Sequence, residues 1–160
     1  MAELAQLTRP ARSFMLRARR PASKQRYMAF LSYSHRDAAM ADWLHETLEA
    51  FRVPPRLVGQ LTEQGAVPKR LTPIFRDRQE LAAAGNLSEE IEESIAASRF
   101  LIVLCSPAAA KSRWIDEEVA CFKRLHGEER ILAVIIDGEP FASDIPGREA
   151  EECFPAALRF

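Results

Sequence analysis

At 160 residues, with 48% hydrophobic and 28% charged residues, the chain has the size and composition of one globular domain with a sizeable core, and two domains would be crowded. A formal net charge of -1 gives no general reason to expect nucleic acid as a partner. The charge is nevertheless uneven: residues 1–26 carry several arginines, including Arg19-Arg20-Pro21, and almost no acid. We read this segment as a basic flexible N-terminal arm, a tether ahead of a domain over residues 27–160. Its scattered Leu4, Leu7, Phe14, Met15 and Leu16 do not make the continuous apolar run of a signal peptide, and no stretch is long enough to span a membrane. The expected location is cytoplasmic. Cys105, Cys121 and Cys153 are odd in number, sit in apolar contexts and lack CxxC spacing, so they read as buried thiols rather than disulfides or a metal site.

In chain order, the apolar and aromatic run Tyr27 to Tyr33 predicts a buried strand. Asp37 can cap a helix in which Met40, Trp43, Leu44, Leu48 and Phe51 form the core-facing stripe, ending before Pro54-Pro55. Leu71 to Phe75 reads as a short strand weakened by Pro73, followed by a polar loop from Arg76 to Gly85. Leu87, Ile91, Ser94 and Ile95 set a second amphipathic helix, with Asn86 or Ser88 as its cap. Phe100 to Cys105 is apolar on both faces, the pattern of a central parallel strand. Ser106-Pro107 begins a short helical turn, a helix runs over residues 115–126, and Ile131 to Ile136 makes a fourth strand ending at Asp137-Gly138. Ala157 to Phe160 reads as the start of a fifth strand with no final helix after it, as in a domain truncated before its last helix. Strand and helix alternate, so the predicted architecture is α/β: an open parallel sheet with right-handed crossovers and its ligand-binding edge at the loops Ser34 to Asp37, Asp77 to Gly85 and Ser106 to Trp114.

The helix over 115–126 carries the most informative feature. Ile115, Val119, Phe122 and Leu125 form one stripe, and Glu118 falls within its arc between Leu125 and Phe122, whereas Glu117 points away beside Arg124. A carboxylate turned toward apolar packing is costly unless it is bound, which suggests a site. Trp114 lies on the same side, one turn earlier, and offers a flat stacking surface. The plainer alternative is that Asp116, Glu117 and Glu118 only complement the positive end of the helix.

Four segments in this order resemble the Toll/interleukin-1 receptor (TIR) domains in their bacterial form: Phe30-Leu31-Ser32-Tyr33-Ser34-His35-Arg36-Asp37, Phe75-Arg76-Asp77-Arg78-Gln79-Glu80-Leu81 leading to Gly85, Leu104-Cys105-Ser106-Pro107, and Ser112-Arg113-Trp114 to Glu118. Co-linear motifs are far more specific than any one of them. The resemblance implies a flavodoxin-like fold with helices on both faces, and either cleavage of NAD+ at the nicotinamide-ribose bond or non-catalytic adaptor assembly through TIR-TIR contacts. In the cleaving members the catalytic glutamate follows the tryptophan by four positions, which here is Glu118. Carried onto this chain, Trp114, Tyr33, Ser34, His35, Arg36, Phe75 and Asp77 are the expected NAD+ contacts. NAD+ is then substrate rather than cofactor, no metal is expected, and other TIR domains are the expected partners, with activation by self-association in bacterial defence or signalling.

The chemistry suits these residues. The scissile bond joins the ribose to the already cationic ring nitrogen of nicotinamide, so no acid is needed to protonate the leaving group, and the transition state resembles an oxocarbenium ion on the ribose. A single carboxylate can stabilise that charge and then help activate water. The absence of GxGxxG after a strand speaks against a redox role, and a P-loop is absent too. A phosphoacceptor receiver on this fold fails because the central strand ends Cys105-Ser106 with no aspartate. His35, His45 and His126 read as loop or helix residues without a second ligand at metal spacing, Trp43 as core, and Arg76 to Glu80 as a loop that either pairs its own charges or acts as a lid.

Overall fold

Alternation along the first strand sets the layers of the domain. In this computed structural model, which describes residues 25–76 and 89–159, β1 spans Tyr27–Ser32. Ala29 and Leu31 pack with Ala41, Ile74, Ile102 and Leu104 on one face of the sheet. Phe30 packs with Ile91, Ile95, Ile115, Val119 and Phe122 on the other. A strand apolar on both faces belongs between two helical layers, and it sits there.

From β1 a 3-10 turn leads into α1 (Ala38–Ala50), then a small hairpin of β2 (Leu61–Thr62) and β3 (Gly65–Ala66), and β4 (Ile74–Arg76). After the undescribed segment come α2 (Glu89–Ala96), β5 (Ser98–Cys105), α3 (Pro107–Ala110), α4 (Arg113–His126), β6 (Ile131–Ile135) and α5 (Ala156–Arg159). The four main strands pair in parallel in the order β4-β1-β5-β6. Their register sets Phe30 beside Phe75 and Leu31 beside Ile102, with Val103 beside Ala133 on the far side of β5. This is the expected flavodoxin-like α/β arrangement, with β5 interior as its two-sided apolar run requires.

The structure corrects several expectations. Trp43 is not core but 60% exposed, and Met40 and Phe51 are exposed with it; α1 instead turns Ala41, Leu44 and Leu48 inward. The inward face also carries polar groups with a purpose: His45 Nε2 lies 3.2 Å from Ile74 O, facing it as donor, and Glu49 Oε1 accepts from Ile74 N at 2.6 Å, pinning the first residue of β4. Strand β4 begins after Pro73, which has no N–H to give to the ladder, and extends to Arg76 rather than ending at Phe75. Leu125 is 47% exposed and lies outside the buried stripe of α4. Ala156–Arg159 is a helical turn, not a fifth strand: Leu158 N bonds Pro155 O at 2.9 Å, and Ala157 N is taken up by Asp116. The helix cap residues Asn86 and Ser88, the loop residues Asp77 to Gly85, and nearly all of the basic arm lie outside the described residues.

Candidate active site

Parallel strands deliver their loops to one edge, and the C-terminal ends of β1 and β5 are tied together there. Ser106 Oγ donates to Asp37 Oδ2 at 2.6 Å and accepts from Ala109 N at 3.0 Å, so one hydroxyl caps α3 and holds the loop after β1. Asp37 stands at the N-cap position of α1 but makes no side-chain cap bond; its carboxylate is engaged by Ser106 instead. Ser34 caps the preceding turn by accepting from Arg36 N at 3.4 Å. His35 and Arg36 are exposed on that turn.

Helix α4 begins at Ser112, whose hydroxyl accepts from Ile115 N at 3.4 Å. Its three consecutive acids have three different fates, so they do not act as one cluster complementing the helix end. Asp116 Oδ1 accepts from Ala157 N at 2.6 Å and docks α5. Glu117 pairs with Arg113 at 2.7 Å, rather than lying beside Arg124, whose guanidinium reaches Cys121 Sγ at 3.3 Å. Glu118 is half-buried and turned to the sheet, where Ser32 Oγ donates to its Oε2 at 2.5 Å. Ile115, Val119 and Phe122 are fully packed beside it, so the carboxylate does border the apolar stripe. Trp114 is half-buried one turn before it.

The remaining expected contacts divide between two faces. Tyr33 and His35 line a polar cavity of about 340 Å³ with Asp42, His45, Glu46 and Arg76. That cavity is on the α1 side, since Tyr33 follows Leu31 in the alternation, whereas Ser32 and Glu118 are on the α4 side. We therefore do not equate the cavity with the space around Glu118. Arg76, paired with Asp42, is nearly buried in its wall. Phe75 stacks on Phe30 with ring centroids 5.2 Å apart and meets the edge of Tyr27 at 5.0 Å, so its ring is packed in the α4-side core. Asp77 lies outside the described residues.

Sequence reasoning passed over Ser32, which it placed only in a motif. The available signal was the alternation that puts residues 30 and 32 on the same inner face. The three cysteines are free and buried. Burial pushes the Cys105 thiol up to about 12 and also raises Cys121 and Cys153, so none is a ready thiolate at neutral pH. His126 packs at a tilt against the Phe122 ring, centroids 4.6 Å apart, and faces Ile95 O at 3.2 Å; burial lowers its pKa. Among the described residues no group of three His, Cys, Asp or Glu could hold a metal ion, and no helix is long and apolar enough to cross a membrane.

The family model described as TIR domain matches residues 29–153. The chain belongs to the TIR domain family. This TIR domain is 33% identical over 139 residues to a protein named NAD(+) hydrolase ApTIR from an Actinoplanes species, an alignment covering 84% of the chain. It spans 18% of that relative's length. Among solved structures it is similar to the TIR domains of an activated Roq1 resistosome that recognises the effector XopQ, at 25% identity and a TM-score of 0.43, covering 68% of this chain and 55% of that one.

Proposed function

We propose that this TIR domain is an NAD+ hydrolase that cleaves the nicotinamide-ribose bond, releasing nicotinamide and ADP-ribose or its cyclic variant, with Glu118 as the catalytic carboxylate. The observation that carries the reading is the separation of the three acids of α4. Asp116 and Glu117 are spent on a cap and an ion pair, while Glu118 is held at the sheet edge beside Ser32. The similarity to a protein named as an NAD+ hydrolase supports it.

In the proposed reaction the Glu118 carboxylate faces the nicotinamide ribose and stabilises the positive charge that develops as the C–N bond breaks. Nicotinamide departs neutral with the bonding electron pair. Water then adds to the ribosyl cation and loses its proton, assisted by the same carboxylate, to give ADP-ribose; an internal acceptor gives the cyclic product. Trp114 offers a stacking surface beside the substrate. Tyr33, Ser34, His35 and Arg36 serve the phosphates and riboses from the turn after β1, and Asp77 is proposed as a further contact. Phe75 acts from beneath, by packing against Phe30 and Tyr27 of β1. Self-association activates the domain, in bacterial defence or signalling.

One observation favours the adaptor as a second reading: Met40, Trp43 and Phe51 present apolar surface on the outer side of α1, suited to contact with other TIR domains. Incubating purified protein with NAD+ and following nicotinamide and ADP-ribose by chromatography separates the two. Stoichiometric release of nicotinamide supports the hydrolase; intact NAD+ at high protein concentration and in a forced oligomer supports the adaptor.

A further inference from the structure

We infer that Ser32 is a positioning residue for the Glu118 carboxylate, an inference that rests on the hydrolase reading. Ser32 is the last residue of β1, 2% exposed, on the face of the sheet that meets α4. A buried hydroxyl costs stability unless it is hydrogen-bonded, and an apolar residue would fill this position without that cost. The hydroxyl instead donates to Glu118 Oε2 across 2.5 Å, the length of a charge-assisted O–H···O⁻ bond. The two groups are 86 residues apart in sequence. Each is carried on a regular element of the same core, so neither end of the bond depends on a loop.

A glutamate side chain has three rotatable bonds, and a carboxylate that stabilises a developing charge is effective only when its orientation is set before reaction. Donation to Oε2 fixes the plane of the carboxylate and therefore the direction of its other oxygen. Ser32 does this without touching substrate. The role differs from that of Ser98, equally buried on the neighbouring strand, whose hydroxyl donates to Ser94 O at 2.8 Å within its own chain segment.

The test measures nicotinamide release against NAD+ concentration for the wild type, Ser32→Ala, Ser32→Thr, Ser98→Ala and Glu118→Gln, each corrected for folded fraction from its melting curve. Ser32→Ala is expected to lower kcat by about 10- to 100-fold, the scale on which orienting partners of functional groups act, with KM nearly unchanged. Ser32→Thr restores the hydroxyl and most of the rate, and Ser98→Ala keeps the wild-type kcat. A wild-type kcat in folded Ser32→Ala, or an equal loss in Ser98→Ala, overturns the inference. Should Ser32→Thr not fold, the comparison of the two alanine variants decides. Loss of activity in Glu118→Gln with normal turnover in Ser32→Ala would overturn the inference alone, whereas a wild type that releases no nicotinamide overturns the hydrolase reading and this inference with it.

Discussion

Arg113 Nε donates to Glu117 Oε1 across 2.7 Å on the outer side of α4, while the adjacent Glu118 is turned inward to Ser32. Neighbouring carboxylates thus occupy different environments, and one can serve as control for the other. The exposed pair at i,i+4 spacing stabilises by only about 0.3–0.5 kcal/mol. Glu117→Gln is therefore expected to shift the melting temperature marginally and leave nicotinamide release unchanged. A large loss of activity in that variant would show that the two faces of α4 are not functionally distinct.

Asp116 contributes to stability through α5. Its carboxylate accepts from Ala157 N at 2.6 Å and so acts as a cap on a turn that is distant in sequence. Removing a capping acceptor typically costs about 0.5–2 kcal/mol. Asp116→Ala should lower the unfolding free energy by about that amount and increase protease cleavage near residue 157. An unchanged cleavage pattern would mean that α5 is held by its apolar contacts and by the ion pairs of Arg159 with Asp144 and Glu152, without need of Asp116.

Acid should destabilise the domain in two stages. Burial lowers the His126 pKa, so below its ordinary 6.5 the unfolded chain binds a proton that the folded chain resists, and stability falls as pH drops from there. Glu152 is 8% exposed. Burial alone would raise its pKa, but donation from Phe154 N, from the Ser143 hydroxyl and N, and from Phe141 N outweighs burial and brings it below the ordinary 4.5. Its stabilisation is full above that ordinary value and is lost as pH falls through the lowered one. Melting curves across pH should show both stages in the wild type, with the lower stage diminished in Glu152→Gln and the remainder carried by Glu149 and Glu151, whose carboxyls are also lowered.

Trp43 offers a test of the exposed face of α1. At 60% exposure it covers only the lesser part of its ring, so Trp43→Ser should cost about 1–2 kcal/mol, short of the ~3–5 kcal/mol lost with a core tryptophan. If that face makes contacts between domains, the same variant should lower self-association measured by light scattering or sedimentation. A marked loss of stability would instead return Trp43 to the core.

The sequence periodicity made the sheet and the body of α4 legible because their signals are local: β5 is apolar on both faces and α4 carries a strong stripe, whereas the start of α4 at Arg113, capped by Ser112, lies two residues ahead of the expected 115. The face of α1 is only partly legible because, beside the expected Leu44 and Leu48, its inward side carries small and polar residues, Ala41, His45 and Glu49, two of which hold Ile74. Their purpose depends on β4, which is remote in sequence. The same limit hid the Ser32–Glu118 bond, although the stripe of α4 had already singled out Glu118. Glu117 was misassigned because position 124 competes with position 113, and only the geometry shows which arginine reaches it.

On the proposed reading the negative charge of Glu118 drives NAD+ cleavage, and Glu118→Gln removes that charge alone. Glutamine keeps the size and much of the hydrogen bonding but removes the negative charge. Nicotinamide release should be abolished, while melting temperature and NAD+ binding stay near those of the wild type. Wild-type turnover in folded Glu118→Gln would contradict the account.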